Sequence, residues 1–176
     1  GMTGAVAAIL KSEDDGELNV STMASFAAKW LVPRLVDFQS LHPQIDVRIS
    51  TTVAMVDFDR DDIDVALRYG YGRWSGVKAQ RLLQEDIFPV CSPRLTTGDN
   101  ALREPADLAR HTLLHVMPFR DDWRVWLTAA GQTEIDADRG PKFDLSLTAV
   151  EAAIEGMGVA LGHSNLVEAD IKAGRL

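Results

Sequence analysis

The sequence predicts an α/β fold built around a parallel or mostly parallel sheet, and three observations support this prediction. Short apolar strands alternate with helical segments along the chain. Hydroxyl and cationic side chains fall at the ends of several predicted strands, where ligands bind in such sheets. After Ser92-Pro93 the alternation of strands and helices starts again, and Val159 opens a further strand. We therefore expect two lobes, residues 18–90 plus 159–176 and residues 91–158.

The first 17 residues are predicted to be a helix tail followed by a linker. Gly4–Leu10 is rich in alanine, which favours a helix. Residues 11–16, Lys-Ser-Glu-Asp-Asp-Gly, are polar and end at a glycine, as linkers do.

The stretch from Leu18 into the following helix is the best-defined βα unit. Apolar and polar residues alternate over 18–21, which predicts a strand. Thr22 and Ser25 carry hydroxyls suited to a helix N-terminus, and Pro33 either kinks the helix or marks the first turn of its main part. The apolar residues of the helix recur at spacings of three and four: Phe26, Trp30, Leu31, Leu35 and Phe38. The unit is either an ordinary βα connection or a turn that holds a small anion.

More strands follow in the first half. Ile45, Val47 and Ile49 alternate with polar residues and lead into Thr51 and Thr52. A third strand is predicted over 63–70. Two further strands are predicted, over Val77–Leu83 and Ile87–Cys91, after a loop that includes Gly70, Gly72, Trp74 and Gly76.

Polar groups at three predicted strand ends form the candidate site of the first half. They are Ser21 with Thr22, Thr51 with Thr52, and Arg68 with Tyr69. Their convergence would suit an anion, since hydroxyls donate hydrogen bonds and Arg68 supplies charge. The competing interpretation of Arg68 is an ion pair with a nearby aspartate.

The second half is predicted to contain a short helix at 104–111, a strand at 113–116 and a helix at 121–131. The clearest helix follows Phe143, and its expected capping box is Thr148 with Glu151. Gly156 or Gly158 ends it, and residues 159–162 form a buried strand. Ser146 and Thr148 give this half a second hydroxyl-rich helix start.

Composition narrows the function classes. The formal net charge of -8 argues against duplex DNA or an anionic membrane as a direct partner of this chain. A single cysteine, Cys91, precludes an internal disulfide and favours a reducing compartment, so we expect a cytoplasmic protein. The chain has no apolar run long enough to cross a membrane.

Catalytic and metal-binding patterns are absent from the sequence. The four histidines have no metal-ligand spacing, and we find no GxSxG, Walker or GxGxxG motif. Cys91 has no activating base nearby in sequence. The sequence therefore predicts no catalytic residue, no metal and no cofactor.

The chain resembles the effector-binding domain of LysR-type transcriptional regulators, in the subgroup that includes the glycine-cleavage activator. The resemblance runs from Leu18 to Leu176 and rests on the order and spacing of five segments: Ser25–Leu35, Asp62–Gly70, Pro89–Pro93, Asp122–Leu127 and Gly158–Gly162. It implies two α/β lobes joined by two crossover segments, like periplasmic solute-binding proteins, with a small effector bound between them.

The resemblance also implies which residues contact the effector. From the first lobe they are Thr22, Ser25, Phe26, Thr51, Thr52, Arg68 and Tyr69. From the second lobe they are the region of His115 to Met117 and the helix start at Ser146 and Leu147. The two helix starts, at Ser25 and at Ser146, would then face each other across the cleft.

Partners follow from the same resemblance. We expect a small-molecule effector, a homodimer or homotetramer, no membrane, and DNA only through an N-terminal helix-turn-helix that this chain lacks. The family also continues beyond the point corresponding to Leu176. A free-standing solute-binding protein of the same architecture is the alternative, and an enzyme ranks third because no nucleophile–base pair is visible.

Overall fold

The computed structural model describes residues 2–8, 16–70 and 74–176 of the 176-residue chain. Of the predicted linker at 11–16, only Gly16 is described, and the loop glycine Gly72 lies outside the described residues. The chain forms two compact units, an N-terminal unit of Thr3–Glu85 and a C-terminal unit of Asp86–Leu176 with Met2. Among the described helices, none is both long and apolar enough to span a membrane.

The N-terminal unit is built on a three-stranded parallel sheet with strand order β3-β2-β4. The first five strands of the chain are β1 (Met2–Ala8), β2 (Glu17–Thr22), β3 (Asp46–Thr51), β4 (Val65–Ala66) and β5 (Arg68–Gly70). Of these, β2, β3 and β4 form the parallel sheet, and β1 pairs with β5. β2 pairs with β3 along its whole length, from Glu17 opposite Asp46 to Thr22 opposite Thr51. The predicted strands at 18–21 and 45–51 are confirmed, because alternating apolar residues suit a sheet that is buried on one face.

One helical stretch follows β2 in three sections: α1 (Ala24–Phe26), a π-helical segment (Ala27–Leu31) and α2 (Val32–Leu41). Pro33 lies in the first turn of α2, so the prediction that it begins the main helix is confirmed. Proline has no N–H to donate to a preceding carbonyl, which fits its place where the helix geometry changes.

Two predictions in the N-terminal unit are wrong. Gly4–Leu10 was expected to be helical, but Met2–Ala8 is a strand that pairs antiparallel with β5, so long-range pairing overrides the helix propensity of alanine. The single strand expected over 63–70 is divided at Leu67: β4 pairs with β2, and β5 pairs with β1.

The strands predicted at Val77–Leu83 and Ile87–Cys91 are one strand, β6 (Gln80–Val90). Polar residues at 84–86 suggested a break, yet Glu85 is buried within the continuous strand. The boundary between the two units falls inside β6.

The C-terminal unit holds four neighbouring strands in the order β6-β9-β7-β8. The new strands are β7 (Leu113–Val116), β8 (Lys142–Phe143) and β9 (Val159–His163). β7 is parallel to both β8 and β9, whereas β6 is antiparallel to β9. The strands predicted at 113–116 and 159–162 are confirmed.

Three helices of this unit are α3 (Asp122–Ala129), α4 (Ser146–Ile154) and α5 (Ser164–Lys172), and short 3-10 turns cover Pro93–Thr96, Pro105–Arg110 and Met117–Phe119. Gly156, with a φ of 84°, ends α4 as predicted, because glycine adopts the left-handed conformation that follows many helices. The capping box expected at Thr148 and Glu151 is wrong. The N-cap of α4 is Leu145, and the Thr148 hydroxyl donates to its carbonyl at 2.8 Å.

The core of the C-terminal unit lies between the sheet and α4 and α5. Its buried members are Val90, Leu114, Val150, Ala153, Ala160 and Val167. Trp123 of α3 is also buried, and its Nε1 donates to the Leu114 carbonyl at 2.9 Å.

Residues 159–176 belong to the C-terminal unit, whereas the sequence analysis expected them to return to the first lobe. The reason is pairing: β9 lies between β6 and β7, with Leu161 opposite Pro89 and Val159 opposite Leu113. The lobe boundaries of the whole regulatory domain stay a prediction.

Asp107 should contribute stability that depends on pH. Its carboxylate accepts backbone N–H bonds from Arg103 at 2.9 Å and Glu104 at 3.0 Å and pairs with Arg110. The two backbone bonds, followed by Arg110, hold the pKa of Asp107 below its usual value. A depressed pKa gives stability that is present above the ordinary aspartate value, about 3.9, and is lost as the pH falls through the folded-state pKa.

We therefore expect Asp107→Asn to lower the free energy of unfolding at pH 7, with the deficit shrinking as the pH falls below about 4. Urea titrations of the wild type and the variant, at pH 7 and at a pH below about 4, measure this deficit in the free energy of unfolding. Asp99→Asn, at an exposed carboxylate, is the control. A deficit that is equal at both pH values would contradict the prediction.

Candidate functional site

The carboxyl ends of β2, β3 and β4 meet at one edge of the N-terminal sheet. Thr22 lies opposite Thr51, and Ser21 lies opposite Ala66. The Thr52 amide donates to the Thr22 carbonyl at 2.9 Å, which extends the pairing one residue further. The expected ends of β2 and β3 therefore converge within one unit, whereas the third strand end at this edge is that of β4 at Ala66, and Arg68 and Tyr69 belong to β5.

The side chain of Arg68 is buried and contacts this edge of the sheet at Ser21. Arg68 follows β4, and its Nη2 donates to Ser21 Oγ at 2.7 Å and to the Ala54 carbonyl at 3.2 Å. Its Nη1 donates to the Leu67 carbonyl at 3.0 Å. Burial lowers the pKa of the guanidinium, although an arginine side chain still remains protonated in proteins.

Arg68 makes no salt bridge with any carboxylate of the described residues. The competing interpretation, an ion pair with a nearby aspartate, is therefore not what the described part of the chain contains. The positive charge is instead surrounded by neutral oxygens. A buried cation in such surroundings is stabilised further by any anion that reaches it.

Two buried polar atoms in this region, Thr22 Oγ1 and Arg68 Nε, have no hydrogen-bond partner in the part of the chain that the structure describes. Thr22 is fully buried and Arg68 is 8% exposed. Buried polar groups are nearly always paired, so an unpaired one marks a place where a ligand or water completes the structure. Both atoms can donate to an oxygen, which suits an anionic or carbonyl group.

The start of the helix differs from the expected arrangement. The N-cap is Met23, and no side chain makes a capping hydrogen bond to it. The prediction that the hydroxyls of Thr22 and Ser25 serve the helix N-terminus as caps is therefore wrong. Ser25 is buried inside α1 and has an interaction of its own. The case for an anion therefore rests on Arg68 rather than on a hydroxyl-capped helix.

The π-helical segment was not predicted. Phe26 stacks on Trp30 with ring centroids 5.0 Å apart, and the guanidinium of Arg34 lies 4.3 Å from the Trp30 ring. The apolar spacing of this region suggested a regular α-helix, and no local pattern distinguishes the π form. Such wider turns occur often at functional sites.

The remaining candidates of this unit contribute less directly. Thr51 is exposed, and Thr52 is half-buried with its hydroxyl accepting the Ala54 amide at 3.0 Å. Tyr69 is half-buried in β5, opposite Val6. Their roles as ligand contacts stay predictions.

The candidates of the C-terminal unit lie on β7 and α4. His115 is 3% exposed, and its Nε2 lies 2.7 Å from the Arg139 carbonyl, so this nitrogen carries the proton and is already engaged. Ser146 is buried at the first position of α4, and the half-buried Leu147 follows it. Ser146 and Leu147 therefore lie at a helix start, as expected, and their role as ligand contacts stays a prediction.

His163 was not among the predicted site residues. It is the last residue of β9, is buried, and its ring centroid lies 5.2 Å from that of Phe119. Burial raises the pKa of Asp122, and the nearby His163 opposes that effect.

Two features of the described residues bear on metal binding and on nucleophilic reactivity. No three side chains among them form a cluster suited to a metal ion. Burial raises the pKa of the Cys91 thiol, which keeps it protonated and makes it a weak nucleophile.

Comparisons with known proteins agree with this architecture. The profile of the LysR substrate binding domain matches residues 11–176. The glycine cleavage system transcriptional activator of Escherichia coli K12 is 46% identical over 161 residues, which are 92% of this chain and 52% of that protein. The transcriptional activator AmpR of Pseudomonas aeruginosa is 41% identical over 146 residues, 82% of this chain and 48% of that protein.

Solved structures give the same result. The effector domain of AmpR from Pseudomonas aeruginosa superimposes with a TM-score of 0.76 at 36% identity, covering 92% of this chain and 76% of that one. The AmpR effector binding domain of Citrobacter freundii has a TM-score of 0.76 at 33% identity, covering 90% and 78%. The chain spans about half the length of the curated relatives it matches.

Proposed function

The chain belongs to the LysR substrate binding domain family, and on that premise we propose that it senses a small anionic metabolite and thereby regulates transcription. The observation that carries the anionic part is Arg68, a buried guanidinium with an unpartnered Nε and no salt bridge among the described residues. Thr22 Oγ1, also unpartnered, supplies a second donor in the same region.

The chemistry favours a carboxylate over a neutral ligand. A charge-assisted hydrogen bond from Arg68 is worth about 1.5–3 kcal/mol, and a neutral one about 0.5–1.5 kcal/mol. Contributions of this size suit a reversible sensor with a dissociation constant in the roughly micromolar to millimolar range. The competing ligand is an apolar aromatic molecule held by Phe26, Trp74 and Tyr69.

Further parts of the proposal come from the relatives. They are named as transcriptional activators, so DNA would be contacted through a helix-turn-helix segment of the complete regulator. Effector binding would act by shifting the population of two arrangements of an oligomer, a homodimer or homotetramer, in the cytoplasm.

Titration calorimetry with a panel of small carboxylates tests the anionic effector. A carboxylate that binds should lose roughly 10- to 100-fold in affinity when Arg68 is replaced by glutamine, because the charge-assisted bond is removed. Its neutral amide analogue should bind weakly to both proteins. Arg48→Gln, at an exposed arginine of β3, removes the same charge from the same unit and should leave the affinity within about twofold, since exposed charges are well screened.

Circular dichroism of Arg68→Gln is needed beside the titration, because Arg68 also contacts protein oxygens. Equal affinity of the wild type and a folded Arg68→Gln for the same carboxylate would refute the anionic effector. It would favour the aromatic ligand instead.

A further inference from the structure

Arg68 connects the strand edge to a short irregular segment, residues 53–56, that follows β3. Its Nη2 reaches Ser21 Oγ at 2.7 Å on one side and the Ala54 carbonyl at 3.2 Å on the other. One side chain therefore holds both the end of β2 and this segment.

Segment 53–56 has few other attachments. In the described part of the chain, its only other hydrogen bond runs from the Ala54 amide to Thr52 Oγ1, which is local. Val53 is 70% exposed and Met55 is 69% exposed, so these two side chains add little apolar packing, and Val56 at the end of the segment is half-buried. Among the described residues, the contact from Arg68 is thus the one hydrogen bond that joins this segment to a distant residue.

The guanidinium geometry makes this contact compete with an anion. A planar oxyanion that binds side-on uses the Nε hydrogen and one Nη2 hydrogen. Nε has no partner among residues 2–8, 16–70 and 74–176, but both Nη2 hydrogens are occupied, by Ser21 and Ala54. The longer of these two bonds, to the Ala54 carbonyl, is the one more easily displaced.

The displaced carbonyl has an alternative partner. Ala54 is exposed, so water can replace the guanidinium at its oxygen without leaving a buried acceptor unpaired. The buried Ser21 hydroxyl has no such access to solvent.

We propose that Arg68 is a latch that the effector opens: an oxyanion bound to Nε and Nη2 displaces the Ala54 carbonyl and frees segment 53–56. This inference rests on the proposed function. It adds that anion binding increases the mobility of a segment bearing two exposed apolar side chains, Val53 and Met55. This change in mobility is the local response of the sensor to its ligand.

The test is nuclear magnetic resonance on the ¹⁵N-labelled chain titrated with sodium acetate against sodium chloride of equal ionic strength. The Arg68 Nε–H resonance reports anion binding, and backbone order parameters of residues 53–56 report the latch. We expect acetate, and not chloride, to shift the Nε–H signal and to lower the order parameters from about 0.85 to below about 0.6. A shifted Nε–H signal with unchanged order overturns the latch and leaves the anionic effector supported.

An experiment without ligand tests the latch separately from the anionic effector. Arg68→Met removes every donor, and the order parameters of 53–56 should fall to the same low values. Arg48→Met, the same change at an exposed arginine, should leave them unchanged. If acetate shifts no resonance, the anionic effector fails for this probe. Unchanged order in Arg68→Met overturns the latch, and Arg68→Leu, which likewise has no donor, replaces that variant if it does not fold.

Discussion

Replacing Gly140 by alanine should lower the free energy of unfolding by about 3–5 kcal/mol. Gly140 has a φ of 109°, a conformation that residues with a Cβ rarely adopt. A Cβ added there would lie 1.9 Å from the Leu113 carbonyl oxygen, which belongs to the central strand β7. Backbone strain and a clash with the backbone therefore act together, and no flexible side chain can move to relieve them.

Gly131→Ala is the matched control for this prediction. Gly131 has a φ of 70°, but a Cβ there would meet no atom within 4 Å. The strain alone should cost about 1 kcal/mol. Urea denaturation followed by circular dichroism measures both variants, and similar losses in the two would show that the approach of Gly140 to β7 is unimportant.

Leu114→Ala should cost about 3 kcal/mol, within the range of about 2–5 kcal/mol for buried leucines. Leu114 is 1% exposed at the centre of the core cluster with Val150 and Val167. The Leu114 carbonyl that accepts the Trp123 indole N–H is retained in the variant, so the loss measures the cavity and not that hydrogen bond.

Val125→Ala on α3 is the control, because Val125 is 46% exposed and its truncation should change stability by less than about 0.5 kcal/mol. The same urea titrations apply. A loss below about 1 kcal/mol for Leu114→Ala would contradict the core described for the C-terminal unit.

Local patterns predicted much of the fold correctly. The alternation at 18–21 and 45–51 and the apolar runs at 113–116 and 159–162 all correspond to observed strands. Each is detectable from sequence because burial of one or both faces of a sheet imposes its own period on the side chains. Pro33 and Gly156 marked a helix start and a helix end because their own backbone restrictions act locally.

Long-range pairing decided the elements that sequence analysis missed or divided incorrectly. Met2–Ala8 is a strand because β5 pairs with it, and β6 continues past Gln84 although its polar residues suggested a break. The strand expected at 63–70 is divided because its two parts pair with different neighbours. The sequence analysis predicted no element after Gly162, yet α5 is present, with Val167 buried in the core.

The candidate site was likewise predicted only in part. Residue types and strand ends were enough to select Thr22 and Arg68, since hydroxyls and a cation following strands are visible in the sequence. Which of their atoms are paired was not visible, because Ser21 lies 47 residues and Ala54 lies 14 residues from Arg68 along the chain. Periodicity reports which face of an element is buried, whereas only the tertiary structure decides which polar atoms meet there and which, like Arg68 Nε, are left without a partner.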